Sequence, residues 1–149
     1  MKIYLGADHR GFNLKTRLET YLAKRNYPVE DVGNEVYDKD DDFPQFAAEA
    51  ALKIIGSDDD DPRGILLCGG GQGVAMAANR FNSIRSVVIF TTEASKVARQ
   101  ENDANVLCLA ADLFEDNDAW QEIVDAFLKT KFSGKTRYVR RNQQLDELS

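Results

Sequence analysis

Cys68 is followed by Gly69-Gly70-Gly71-Gln72-Gly73, four glycines in five positions. The cluster lies between an unbroken apolar run, Gly64 to Cys68, and a segment of helical period, Gly73 to Arg80. Glycines placed there leave backbone N–H groups bare at a strand end, and a helix N-terminus adds partial positive charge, so the loop reads as an anion cradle. A tight turn alone needs only one or two glycines. Cys68 is the last strand residue before that helix, where a thiolate is favoured, which suits a base or a nucleophile. The plainer reading of a free cysteine is a small buried apolar residue. Cys108, inside Val106-Leu107-Cys108-Leu109, takes that plainer reading.

Two nucleotide signatures fail. A G-x-G-x-x-G fingerprint started at Gly69 meets Val74, one started at Gly71 meets Met76, and the fingerprint belongs on a first strand. No Lys-Ser or Lys-Thr follows the glycines, so the phosphate-loop pattern is missing as well. Asp8-His9-Arg10-Gly11 ends another strand-like run, and its polar groups read as substrate contacts. His9 is the one histidine, which removes multi-histidine metal sites and any mechanism needing two imidazoles. A Cys/His pair of protease type is conceivable from composition, but sequence alone does not show whether the two touch. Arg137, Arg140 and Arg141 form the arginine cluster of an otherwise acidic chain. Residues 137 and 141 share a helix face, which suits a phosphate clamp or, equally on spacing, surface pairing with Asp146 and Glu147.

The elements that must position these residues alternate. Strand patterns cover Lys2–Ala7, Val29–Val32, Gly64–Cys68, Ser86–Phe90 and Val106–Ala110. Helical patterns cover Phe12–Arg25, Phe43–Ile55, Gly73–Arg80, Thr92–Asn102 and about 117–131, with Asp42 as cap and Pro44 in the first turn of the second. Asp38 to Asp42 reads as a solvated loop. The order predicts an α/β fold with a five-stranded parallel sheet between helices, and ligands at its C-terminal strand ends. Asp8–Gly11, Cys68–Gly73 and Thr91-Thr92 should meet there. The last segment, Arg137 to Leu148, is a helical tail with little apolar face, suited to an arm over a partner or a site.

Composition narrows the classes. A formal net charge of −6 and a pI near 4.8 exclude a nucleic-acid footprint. Apolar runs are too short for a membrane span. With 43% hydrophobic residues in 149, one core and a single domain over 1–149 are expected. Met1 leads into a strand rather than an export signal, and two cysteines make no disulfide framework, so a reduced cytoplasmic setting is expected.

The chain resembles the ribose 5-phosphate isomerase B family, which includes the galactose 6-phosphate isomerase subunits. The likeness rests on Gly6-Ala7-Asp8-His9-Arg10-Gly11-Phe12, Asp42-Phe43-Pro44, Gly64 to Gly69, Ala77-Ala78-Asn79-Arg80, Ala98 to Val106 and Val124-Asp125-Ala126-Phe127-Leu128. The resemblance implies a Rossmann-like three-layer α/β/α sandwich. It implies a homodimer or tetramer with active sites at the subunit interface, and aldose–ketose isomerisation of a phosphorylated sugar without metal or cofactor. It makes Cys68 the base that moves a proton between C1 and C2, and Gly69, Gly70, Gly71, Gln72 and Gly73 the loop around the enediolate. Asp8, His9 and Asn102 match substrate contacts, and Arg137 and Arg141 match phosphate arginines. Members usually carry a histidine, the proton donor in ring opening, where Glu101 stands. They have tyrosine at Phe43, serine or threonine at Gly70, arginine at Asp112, and histidine at Tyr138. The loss of a cation at Asp112 should weaken binding of a phosphate dianion there, so a different sugar or a non-catalytic sugar-phosphate-binding subunit is the rival expectation.

Overall fold

The computed structural model describes residues 1–148. β1 (Ile3–Ala7), β2 (Val29–Asp31), β3 (Arg63–Cys68), β4 (Ser86–Val88) and β5 (Val106–Ala110) alternate with α1 (Phe12–Ala23), α2 (Phe43–Ile55), α3 (Gln72–Ala78), α4 (Thr92–Asn102) and α5 (Trp120–Lys129). A sixth helix, α6 (Thr136–Asp146), is the expected tail. The strands form one parallel sheet in the order β2-β1-β3-β5-β4.

The apolar runs explain the layers. In β3 successive side chains alternate between faces, and every residue is buried. Ile65 and Leu67 join Leu5, Leu107 and Leu109 against α1 and α5, where Leu18, Leu22, Trp120 and Phe127 close the core. Leu66 and Cys68 point the other way, with Tyr4 and Cys108, against Ala47, Ala50 and Val74 of α2 and α3. This is a strand covered on both faces, as its unbroken apolar run requires.

Helix ends differ from expectation in two places. Asp42 occupies the N-cap of α2 but makes no capping hydrogen bond there. Thr91, expected at a ligand edge, instead caps α4 by accepting from the Ala94 N–H at 3.2 Å. The strand order supplies the reason: β5 separates β4 from β3. The third segment beside Cys68 is therefore Ala111-Asp112, which follows β5.

Candidate active site

β1 and β3 are neighbours from which the chain winds outward in opposite directions, and such a reversal leaves a crevice at the C-terminal strand ends. Asp8 and Cys68 sit at those ends. The Asp8 N–H donates to the Leu67 carbonyl at 3.2 Å, tying the two segments together. Asp8 also accepts from the Arg10 and Gly11 N–H groups at 3.0 and 3.1 Å, so one of its oxygens organises the turn after β1. Burial pushes its carboxyl above the usual range, against the opposing pull of those N–H bonds.

His9 stands next in line and has a partner that local patterns did not reveal. Asp41 accepts from the His9 backbone N–H at 2.9 Å and lies 2.8 Å from Nδ1 through the same oxygen. Its other oxygen accepts from Asn34 Nδ2 at 3.1 Å, and its side chain is only 3% exposed. The run Asp38 to Asp42 is thus not uniformly solvated. The hydrogen bond to Asp41 holds the His9 imidazole above its ordinary pKa. Tyr37 presents its ring edge-on to His9 at 6.4 Å. No spacing signal singles out Asp41 from the aspartates beside it.

Cys68 is buried, and its Sγ accepts from the Gly71 N–H at 3.2 Å. Gly71 has φ +79°, and a Cβ there would press on the Leu109–Ala110 backbone, so both conformation and space call for glycine. α3 begins at once with Gln72 but has only seven residues. The first-turn N–H groups, which have no partner within the helix, therefore matter more here than a long dipole. Phe43, at the start of α2, lays its ring on Gly73. Cys108 is fully buried beside Ser86 Oγ at 3.1 Å, and burial pushes its thiol up to about 12, which makes it inert.

The remaining candidates gather elsewhere. Glu101 and Asn102 end α4, just before β5 begins, at the N-terminal edge of the sheet. Gly64 pairs with Val106 and Cys68 with Ala110, so the strands alone put about 13 Å between the two edges. Arg137 Nη2 donates to Tyr138 Oη at 3.0 Å, and Tyr138 Oη donates to Glu101 Oε1 at 3.0 Å. Asn142 Nδ2 donates to the Glu101 carbonyl at 3.2 Å. Arg137, Arg140 and Arg141 are exposed on α6, and 137 and 141 share the expected face. The surface pairing envisaged with Asp146 is not formed, because Asp146 pairs with Arg85 at 3.0 Å. Asn102 lines a cavity of about 470 Å³ with Phe81, Arg85 and Leu145. Among the described residues no carboxylate pairs with Glu101: Asp103, two residues on, faces Arg85 and Arg99, and Asp112 pairs with Arg10 at the other edge.

This geometry can take a proton at Cys68 and hold an anion on the loop, while the exposed arginines of α6 stand at the opposite edge. Among the described residues no cluster of His, Cys, Asp and Glu is suited to a metal ion, and no helix is long and apolar enough to cross a membrane. The family model for ribose/galactose isomerases matches residues 3–145. The chain belongs to the ribose/galactose isomerase family. Among its relatives is the probable ribose-5-phosphate isomerase B of Mycoplasma genitalium, 38% identical over 132 residues, covering 89% of this chain and 86% of the relative. The solved ribose 5-phosphate isomerase of Thermotoga maritima superposes with TM-score 0.91 at 36% identity, covering 99% of this chain and 98% of the other. Another family structure, ribose-5-phosphate isomerase B from Mycoplasma genitalium with bound ribulose-5-phosphate, has TM-score 0.88 and 35% identity over 98% and 94% of the two chains.

Proposed function

We propose that this chain is an aldose–ketose isomerase acting on a phosphorylated sugar of the ribose 5-phosphate/ribulose 5-phosphate type. The observation that carries the reading is Cys68, held by the Gly71 N–H at the β1/β3 crevice, in a chain whose likeness to these isomerases runs end to end. In the forward step the Cys68 thiolate takes the C2 proton of the open-chain aldose. The C2–H electron pair becomes the C1=C2 bond, and the carbonyl π pair moves to O1 as an enediolate oxyanion. The glycine-loop N–H groups face that charge, the kind of fixed donor array that stabilises an oxyanion without reorganisation. The thiol returns its proton to C1, the hydroxyl proton passes from O2 to O1, and the ketose results. The atoms balance without a cofactor, and the whole described fold acts as one isomerase domain.

Phosphate recognition is assigned to Arg137 and Arg141, with Glu101 as the group that handles the ring-oxygen proton and Asp8, His9 and Asn102 on substrate hydroxyls. Because these residues divide between opposite sheet edges, the working site joins the Cys68 edge of one copy to the α4–α6 edge of another. A symmetric dimer makes two such sites. The decisive experiment is incubation with phosphorylated pentoses and hexoses in D₂O, followed by NMR for ketose formation and deuterium at C1 or C2. Exchange with one sugar phosphate supports the enzyme. Binding without exchange across the panel would favour the non-catalytic subunit, for which the departures at Glu101 and Asp112 speak.

A further inference from the structure

Arg10 and Asp112 lie 102 positions apart in sequence and form an ion pair across the crevice mouth. Asp112 is itself anchored, since its N–H donates to the Gly69 carbonyl at 3.1 Å. The Arg10 guanidinium occupies the space that a Cβ on Gly69 would fill, so it rests directly on the loop that follows Cys68. Both side chains of the pair are about half exposed, at 55% and 45%, which leaves the cation open to a ligand entering the mouth.

The surroundings leave Arg10 as the cation in contact with this loop. Asp8 is buried in the turn, Asp41 is held by His9, and Lys15 is buried and engaged by Asp31 and the Asn34 carbonyl at 2.6 and 2.7 Å. Among the described residues the guanidinium makes one side-chain hydrogen bond, to Asp112, and a guanidinium carries five N–H donors. Asp112 therefore does not simply strip the mouth of positive charge; it holds one there.

On the isomerase reading above, we propose that Arg10 is a further catalytic residue, its guanidinium facing the oxyanion that develops beside Cys68, with Asp112 as its positioning residue. A cation fixed before reaction opposes the developing charge without reorganising. Its place against Gly69, in the loop that the isomerase reading sets around the enediolate, assigns it to the reacting end of the sugar.

The test compares Arg10→Ala, Arg10→Lys and Asp112→Ala in the full chain. Loss of Arg10 should lower kcat about 10²-fold, the scale of one lost oxyanion donor, and leave KM nearly unchanged. Arg10→Lys and millimolar guanidinium ion added to Arg10→Ala should each restore part of kcat. Asp112→Ala should lose less, and the double variant should be no worse than Arg10→Ala alone. A rise in KM with kcat intact would overturn the proposal by placing Arg10 on the phosphate, and unchanged kinetics would overturn it outright. A second readout stands apart from turnover: iodoacetamide alkylates the thiolate, so Cys68 should react severalfold more slowly in Arg10→Ala. Equal alkylation rates would sink the inference, whereas slowed alkylation in a chain that turns over no sugar phosphate would support the Arg10–Cys68 coupling and count against the isomerase reading alone.

Discussion

At the C-terminal edge, Asp8, Cys68 and Gly71 are held by bonds among β1, β3 and β5, whereas at the N-terminal edge Glu101, Arg137 and Arg141 ride on the surfaces of α4 and α6. The first group is fixed by a sheet buried on both faces. The second depends on a helix whose buried residues are Tyr138 and Asn142. The difference teaches that one half of the proposed site is organised within a single chain. The other half presents exposed arginines at the opposite edge, for which the proposed site calls on a second copy. The bonds from Tyr138 and Asn142 to Glu101 keep that second half together while it waits.

The strongest way to break this comparison is Cys68→Ala. Losing a general base should cost roughly 10²–10⁴ in rate, while circular dichroism and oligomer size stay as they were. Near-normal turnover would remove Cys68 as the base and take the meaning of the C-terminal edge with it. At the other edge, Glu101→Gln should lower turnover of cyclic substrate about 10²-fold and spare the open-chain form. If both forms respond alike, Glu101 is not involved in ring opening. Glu101→His sharpens the point: a gain on ribose 5-phosphate would mean that the site has drifted from ring opening.

Arg137→Ala with Arg141→Ala should raise KM for the phosphorylated sugar tenfold or more, since charge-assisted hydrogen bonds are worth about 1.5–3 kcal/mol each, with little change in melting temperature. Mixing that double variant with Cys68→Ala tests the division of the site between copies. Random exchange in a two-fold dimer should rebuild about a quarter of wild-type sites. An inactive mixture, with subunit exchange verified by mass, would place both edges' residues in one chain's site.

The smallest effect concerns His9, and its sign follows from Asp41. The folded imidazole titrates above its ordinary value because of that hydrogen bond. The pairing's contribution to stability is therefore full below the unfolded pKa of about 6.5 and fades as pH rises through the folded value. Asp41→Asn should move the His9 titration downward and flatten the pH dependence of stability in that window. With one histidine in the chain, a single set of imidazole resonances reports it. An unmoved titration would show that Asp41 does not govern the ring.

Local pattern alone specified a good deal. The unbroken run into Cys68 announced a strand buried on both faces, the glycines announced a tight loop between strand and helix, and the alternation of periods announced the parallel sheet. Each of these signals spans only a few neighbouring residues. The order of the strands does not, and it put Asp112 rather than Thr91 beside Cys68. Likewise, five consecutive acidic or lysine residues, Asp38 to Asp42, look alike in sequence, and only a contact spanning 32 positions singles out Asp41 for His9. Motifs near in type proved far in space: Glu101 and Arg137 share an edge with each other and not with Cys68, because β5 carries the chain from one edge of the sheet to the other. Sequence determined which elements form and which residues are candidates for chemistry, since periodicity and backbone freedom act locally. Only the tertiary structure decided which of those residues meet, since that depends on the packing of segments far apart along the chain.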